Sequence, residues 1–158
     1  MWYHAVAVPR QEKAYEKHAW VIPFVIGAWF FLFSLAGLVA GPSVDTYLQP
    51  LAGVAWDELS SANPQIASYI NFTYRSVGAA GLFGSFLLMA ISRKSYRRGE
   101  KWSWYALWVF PVFYGVSTLV DFSYGTPTGT AFHAIVFIVS LLGVLLPYRK
   151  FFPRKPPA

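Results

Sequence analysis

Four apolar stretches, residues 19–40, 64–92, 102–122 and 130–146, are set apart by segments where charge, glycine and proline collect. The first holds 22 residues, enough to cross a hydrocarbon layer of roughly 30 Å at about 1.5 Å per helical residue with some tilt. The second is longer than a bilayer needs, so its first two turns, with Gln65, Ser68 and Asn71, are expected to stand outside the hydrocarbon. The pattern predicts an all-α protein, an integral membrane four-helix bundle. Its parts are a lead-in at 1–18, the four-helix membrane domain at 19–147 and a basic tail at 148–158.

Local signals sharpen the boundaries. Pro23 falls in the first turn of span one, where a missing N–H costs little, and Trp20 sits at the membrane boundary, as interfacial aromatics do. Asn63-Pro64 reads as an N-cap followed by proline at the first helical position. Pro111 in the middle of span three predicts a kink, and Pro147 is expected to end span four. The lead-in reads either as a short surface helix, with Trp2, Tyr3 and Tyr15 in the headgroups, or as a frayed terminus. The long loop at 41–63 is broken by Gly41, Pro42, Pro50 and Gly53, yet keeps Val44, Tyr47, Leu48, Leu51, Val54 and Trp56. It is expected to fold back over the mouth of the bundle, with one short helix.

Charge then orients the bundle. Twelve of the thirteen basic residues lie in three places: Arg10, Lys13 and Lys17; Arg93 to Lys101; and Arg149 to Lys155. Four crossings put all three on one side, and positive charge is retained on the cytoplasmic face. Both termini are therefore expected in the cytoplasm, the long loop between helices 1 and 2 is expected to be external, and the cell (plasma) membrane is the expected location. The pI near 9.7 follows from this partition and does not imply nucleic acid. Anionic lipid is the expected partner of the basic face. Cysteine is absent, which removes disulfides, thiol redox chemistry and thiolate metal sites.

Polar groups at membrane depth are the candidates for chemistry. Arg75 in span two, Asp121 closing span three and His133 in the first turn of span four fall at one level, with Asn71, Tyr74, Thr118 and Tyr124 nearby. Two readings stand. Arg75 and Asp121 form an ion pair clamping span two to span three, with His133 as a hydrogen-bond partner. Alternatively, the group binds a polar ligand head or positions a substrate. His18 and His133 lie at opposite ends and cannot ligate one iron, and a His4–His18 pair would depend on a frayed terminus, so haem is not expected. Asp121 and His133 are too few for a metal, and retinal would need a lysine within a span. No cofactor and no catalytic constellation are expected. Span two also carries two small-xxx-small pairs, Gly81/Ser85 and Ala80/Gly84, which allow close helix approach. Aromatic residues make up 20% of the chain. The cluster Trp102, Trp104, Tyr105 and Trp108 reads as an interfacial belt, while a cavity for a flat hydrophobic ligand is the other use of so many rings.

The segments Tyr96-Arg-Arg-Gly-Glu-Lys-Trp-Ser-Trp-Tyr105 and Leu146-Pro-Tyr-Arg-Lys-Phe-Phe-Pro153 resemble small four-span membrane proteins of bacteria and archaea. The resemblance covers about the last two-thirds of the chain. It implies the four-helix architecture and a basic hairpin on the inner side, and it carries over no catalytic residue. Two roles are left open. One is an accessory or structural subunit of a larger membrane complex, respiratory or photosynthetic for example, with other membrane subunits or a homo-oligomer as partners. The other is a small lipophile-binding protein or isomerase-like enzyme using the Arg/Asp/His pocket. In layout alone the latter is similar to the four-span sterol isomerase and sigma-2 receptor group, whose acidic residues within the spans are not matched here.

Overall fold

The computed structural model describes residues 13–44 and 53–153, and the regular structure among them is helical throughout. Residues 1–12 of the lead-in, with Trp2 and Tyr3, the middle of the long loop and the tail beyond Pro153 lie outside the described residues. Four helical rods, Ala14–Ala40, Pro64–Tyr96, Lys101–Ser123 and Pro127–Phe151, are long and apolar enough to cross a membrane. Only 17 to 22% of their most apolar windows is buried within the chain. Side chains such as Phe83, at 78% exposure, and Phe122, at 76%, point away from the protein. Water would not tolerate so large an apolar surface. A hydrocarbon solvent does, and this is the build of a multi-pass membrane protein.

The rods pack as two hairpins, span one against span two and span three against span four. A narrower seam between span one and span four joins them. In the first hairpin small residues let backbones meet. A Cβ at Gly78 would lie 2.7 Å from the Leu38 nitrogen and 2.9 Å from the Ser34 carbonyl oxygen. One at Gly81 would run into the Ser34 hydroxyl, and Ser85 is fully buried. Of the two pairs expected on span two, Gly81/Ser85 packs, with Gly78 a turn before it. Ala80/Gly84 does not: Ala80 is exposed, and nothing lies within 4 Å of a Cβ at Gly84.

Three prolines break their rods by one rule. Proline has no N–H for the carbonyl four residues back and clashes with it, so the ladder loosens at that carbonyl. Before Pro23 the helix Ala14–His18 gives way to a turn at Ala19 and Trp20, and Val21–Ala40 follows. Before Pro111 the expected kink of span three appears at Leu107 and Trp108, between Lys101–Ala106 and Val109–Ser123. The freed Leu107 carbonyl accepts from the Phe110 N–H at 3.2 Å. Before Pro147 the helix Pro127–Leu145 stops as expected, and a last turn, Tyr148–Phe151, resumes beyond it. Here the Gly143 carbonyl loses its partner, and the Tyr96 hydroxyl of span two donates to it at 2.6 Å. Beside it the Trp104 indole N–H of span three donates to the Val144 carbonyl at 2.9 Å. Trp104 thus does more than line an interface.

These bonds sit where the core is densest. Tyr96, Leu107, Phe110, Val144 and Phe151 are buried together with Ala19 and Ile26, and Lys150 Nζ reaches the Glu16 carbonyl at 3.3 Å. This end also carries Arg93 to Lys101, and we call it the basic end. The Trp102 indole N–H donates to Glu100 at 2.7 Å. That bond, with a further one from Ser95 and the charges of Arg98 and Lys94, holds the Glu100 carboxyl below the usual carboxylate range. The two hairpins are therefore knitted at the basic end and part toward the opposite one.

At the opposite end the chain turns sharply. Gly41, at φ 64°, closes span one. Asn63 caps span two as expected, its Oδ1 accepting from the Ile66 N–H at 3.2 Å above Pro64. The short helix Trp56–Ala62 occupies the described part of the long loop. Span four starts at Pro127, a turn earlier than the apolar run alone suggests, because Thr126-Pro127 opens the helix while its first turn is still polar.

Candidate functional site

Where the hairpins part they leave a cleft of about 560 Å³. Span one contributes Trp29, Phe30, Phe33, Ser34 and Gly37, and span two Thr73, Tyr74, Val77 and Gly78. Spans three and four complete it with Phe113 and Tyr114 and with Thr128, Phe132 and His133. Aromatic contacts bridge the seam: the Phe30 and Phe113 rings are 5.6 Å apart between centroids, and Trp29 and Phe132 are 6.5 Å apart. Tyr114 packs on His133 at 5.8 Å. An aromatic wall with a few polar groups is the usual make-up of a small-molecule pocket, and the volume is within the usual range of roughly 300–1,000 Å³.

The polar focus is the His133–Asp121 pair. The turn from span three to span four is tight, with Thr126 donating both its N–H and its hydroxyl to the Asp121 carbonyl, each at 3.0 Å. Gly125 at φ 67° permits that turn. This geometry sets the Asp121 carboxylate against the His133 ring, with Nδ1 2.6 Å from Oδ2. An ionised carboxylate only accepts, so with Asp121 ionised the hydrogen would lie on Nδ1 and Nε2 would be the ring nitrogen facing away from the pair. Both side chains are partly buried, 20% and 15% exposed. The pair orients an imidazole on the wall of an apolar cleft.

Arg75 is elsewhere. Its Nε donates to Asn71 Oδ1 and its NH1 to the Leu38 carbonyl, each at 3.0 Å. Leu38 lies in the last turn of span one, where carbonyls lack helical partners and the macrodipole is negative. Arg75 is therefore a cation capping the neighbouring helix, with Asn71 orienting it. Asn71 also lies where a Cβ on Gly41 would sit, 2.7 Å away. The expected ion pair of Arg75 with Asp121 is not formed among the described residues, because a closer acceptor, a backbone carbonyl, takes the guanidinium first. Tyr124 is 69% exposed beyond the cleft, since it follows the end of span three. Thr118 turns back on the Tyr114 carbonyl at 2.7 Å. Of the expected group, the structure brings Tyr74 and His133 to the cleft, with Asp121 bonded to His133, and leaves Arg75, Asn71 and Tyr124 out of it.

The residues that sequence reasoning missed are the wall: Trp29, Phe30 and Phe33, Phe113 and Tyr114, and Phe132. Their one signal was aromatic abundance midway along the spans, away from the interfaces. No family model, curated protein or solved structure matches this chain.

Proposed function

We propose that this is a cell-membrane protein that binds a lipophilic molecule between its two hairpins. The apolar body of the ligand lies against Phe30, Phe33 and Phe113, and a hydroxyl or carbonyl head meets His133. The observation that carries this reading is the aromatic cleft with the Asp121-held imidazole on its wall. Nε2 is chemically competent to exchange a proton with such a head, which is how the site would extend to isomerase-like chemistry. The accessory-subunit role drew support from the small residues of span two, and Gly78, Gly81 and Ser85 are taken up by span one. That role keeps the unpacked pair Ala80/Gly84, the lipid-facing aromatics and the sequence's lack of a metal or cofactor ligand set in its favour. The basic end is assigned to the cytoplasm on the distribution of Lys and Arg.

The test is mass spectrometry of small molecules carried by protein extracted gently from native membranes. Wild type is expected to bring down one hydrophobic species near stoichiometry. Asp121→Asn should lower its retention about tenfold or more, the usual worth of a charge-assisted hydrogen bond. A wild-type protein that carries nothing, or equal retention by the variant, ends this reading.

A further inference from the structure

We propose that the basic end of span two is a headgroup site for an anionic phospholipid, with an acyl chain lying along Phe83, Phe86 and Ala90. This site is separate from the cleft, and neither depends on the other. Span two ends in a π-turn, Ser92–Tyr96, with the Arg97 N–H bonded to the Ser92 carbonyl. The wider turn buries Ser92, Ser95 and Tyr96 and leaves Arg93, Lys94, Arg97 and Arg98 exposed. These four line an open depression of about 640 Å³, and the fifth lining residue is Ala90, on the membrane side. π-turns inserted in α-helices recur at functional sites.

Three observations point to a phospholipid as the occupant. The first is charge. Among the described residues, four cations and no acid line the depression, and the neighbouring Glu100 forms an ion pair only with Arg98, at 3.9 Å. A phosphate diester supplies the missing negative charge, and guanidinium groups bind it in a forked geometry. The second is preorganisation. The Arg97 guanidinium lies over the Trp20 ring, 5.4 Å from its centroid, so span one holds one phosphate ligand in place. The third is continuity with hydrocarbon. Phe83 and Phe86, 78% and 66% exposed, lead down the same side of the helix to Ala90 at the rim. A soluble phosphate makes no use of that stripe, whereas an acyl chain does.

The experiment uses the full chain, delipidated in detergent and offered defined lipids, with bound species counted by native mass spectrometry. Phosphatidylglycerol should be retained over phosphatidylcholine by about tenfold or more, since each basic residue near an anionic headgroup adds roughly fivefold. Arg93→Gln with Lys94→Gln should lower that preference by about fivefold or more, Arg97 and Arg98 remaining. Lys17→Gln with Lys101→Gln removes the same charge from the same end and should preserve it. The proposal is overturned if wild type holds the two lipids equally, or if the control pair loses the preference as fully as the site pair. It is also overturned if inorganic phosphate at the lipid concentration displaces the bound phosphatidylglycerol.

Discussion

A buried carbonyl without a partner is the costliest object in this protein, because lipid offers no water to replace the bond. Side chains that would ordinarily be read as binding groups are spent on that problem. Arg75 serves Leu38, Tyr96 serves Gly143 and Trp104 serves Val144. Tyr96 is 1% exposed, so its hydroxyl has no alternative partner in solvent. Tyr96→Phe is therefore expected to cost about 1–3 kcal/mol, the price of a buried acceptor left unsatisfied, measured by reversible denaturation in mixed micelles. A loss below about 0.5 kcal/mol would mean that the Gly143 carbonyl finds another donor. None of these three bonds was legible in the sequence. Their acceptors are backbone atoms, which every residue has, so no spacing of residue types marks them. The Asp121–His133 pair was partly legible, because a turn of fixed length between two spans brings both to one level.

The spans themselves were visible because length and apolarity are properties of sequence, and so were the breaks at Pro111 and Pro147, since the missing N–H acts at a known distance. The break before Pro23 was not, because that proline was read as opening the helix rather than interrupting it. Which face of a span packs was not visible. A soluble helix advertises its buried face through polar residues on the other side, but here both faces are apolar and only small residues distinguish them. Two small-residue pairs interleave on span two, and the structure chooses one. The choice predicts opposite outcomes for the same substitution. Gly78→Ala places a Cβ against the Leu38 and Ser34 backbone and should destabilise by about 1–3 kcal/mol. Gly84→Ala meets nothing within 4 Å and should stabilise by about 0.5–1 kcal/mol, because alanine is the better helix former. Thermal unfolding of the two variants side by side would show the split. Equal shifts would mean that span one does not choose between the faces.

At the scale of the whole molecule, cohesion is uneven along the membrane normal. The basic end has the buried core, two hydrogen bonds onto span four and the Lys150 contact to Glu16. The opposite end has ring contacts across an open cleft. Free energy of packing scales with contact, so the hairpins should hinge about the basic end, and a ligand in the cleft should act as the missing core. Because the chain has no cysteine, pairs of introduced cysteines report this motion without background. Spin labels at Val39 and Phe72, both exposed and on the two spans of one hairpin, should give a narrow distance distribution. Labels at Phe72 and Phe122, likewise exposed but on different hairpins, should give a broader one after delipidation, and it should narrow in protein extracted with its native lipophile. Two distributions of equal width in delipidated protein would show one rigid bundle, and the cleft would then be a fixed groove with no hinge behind it.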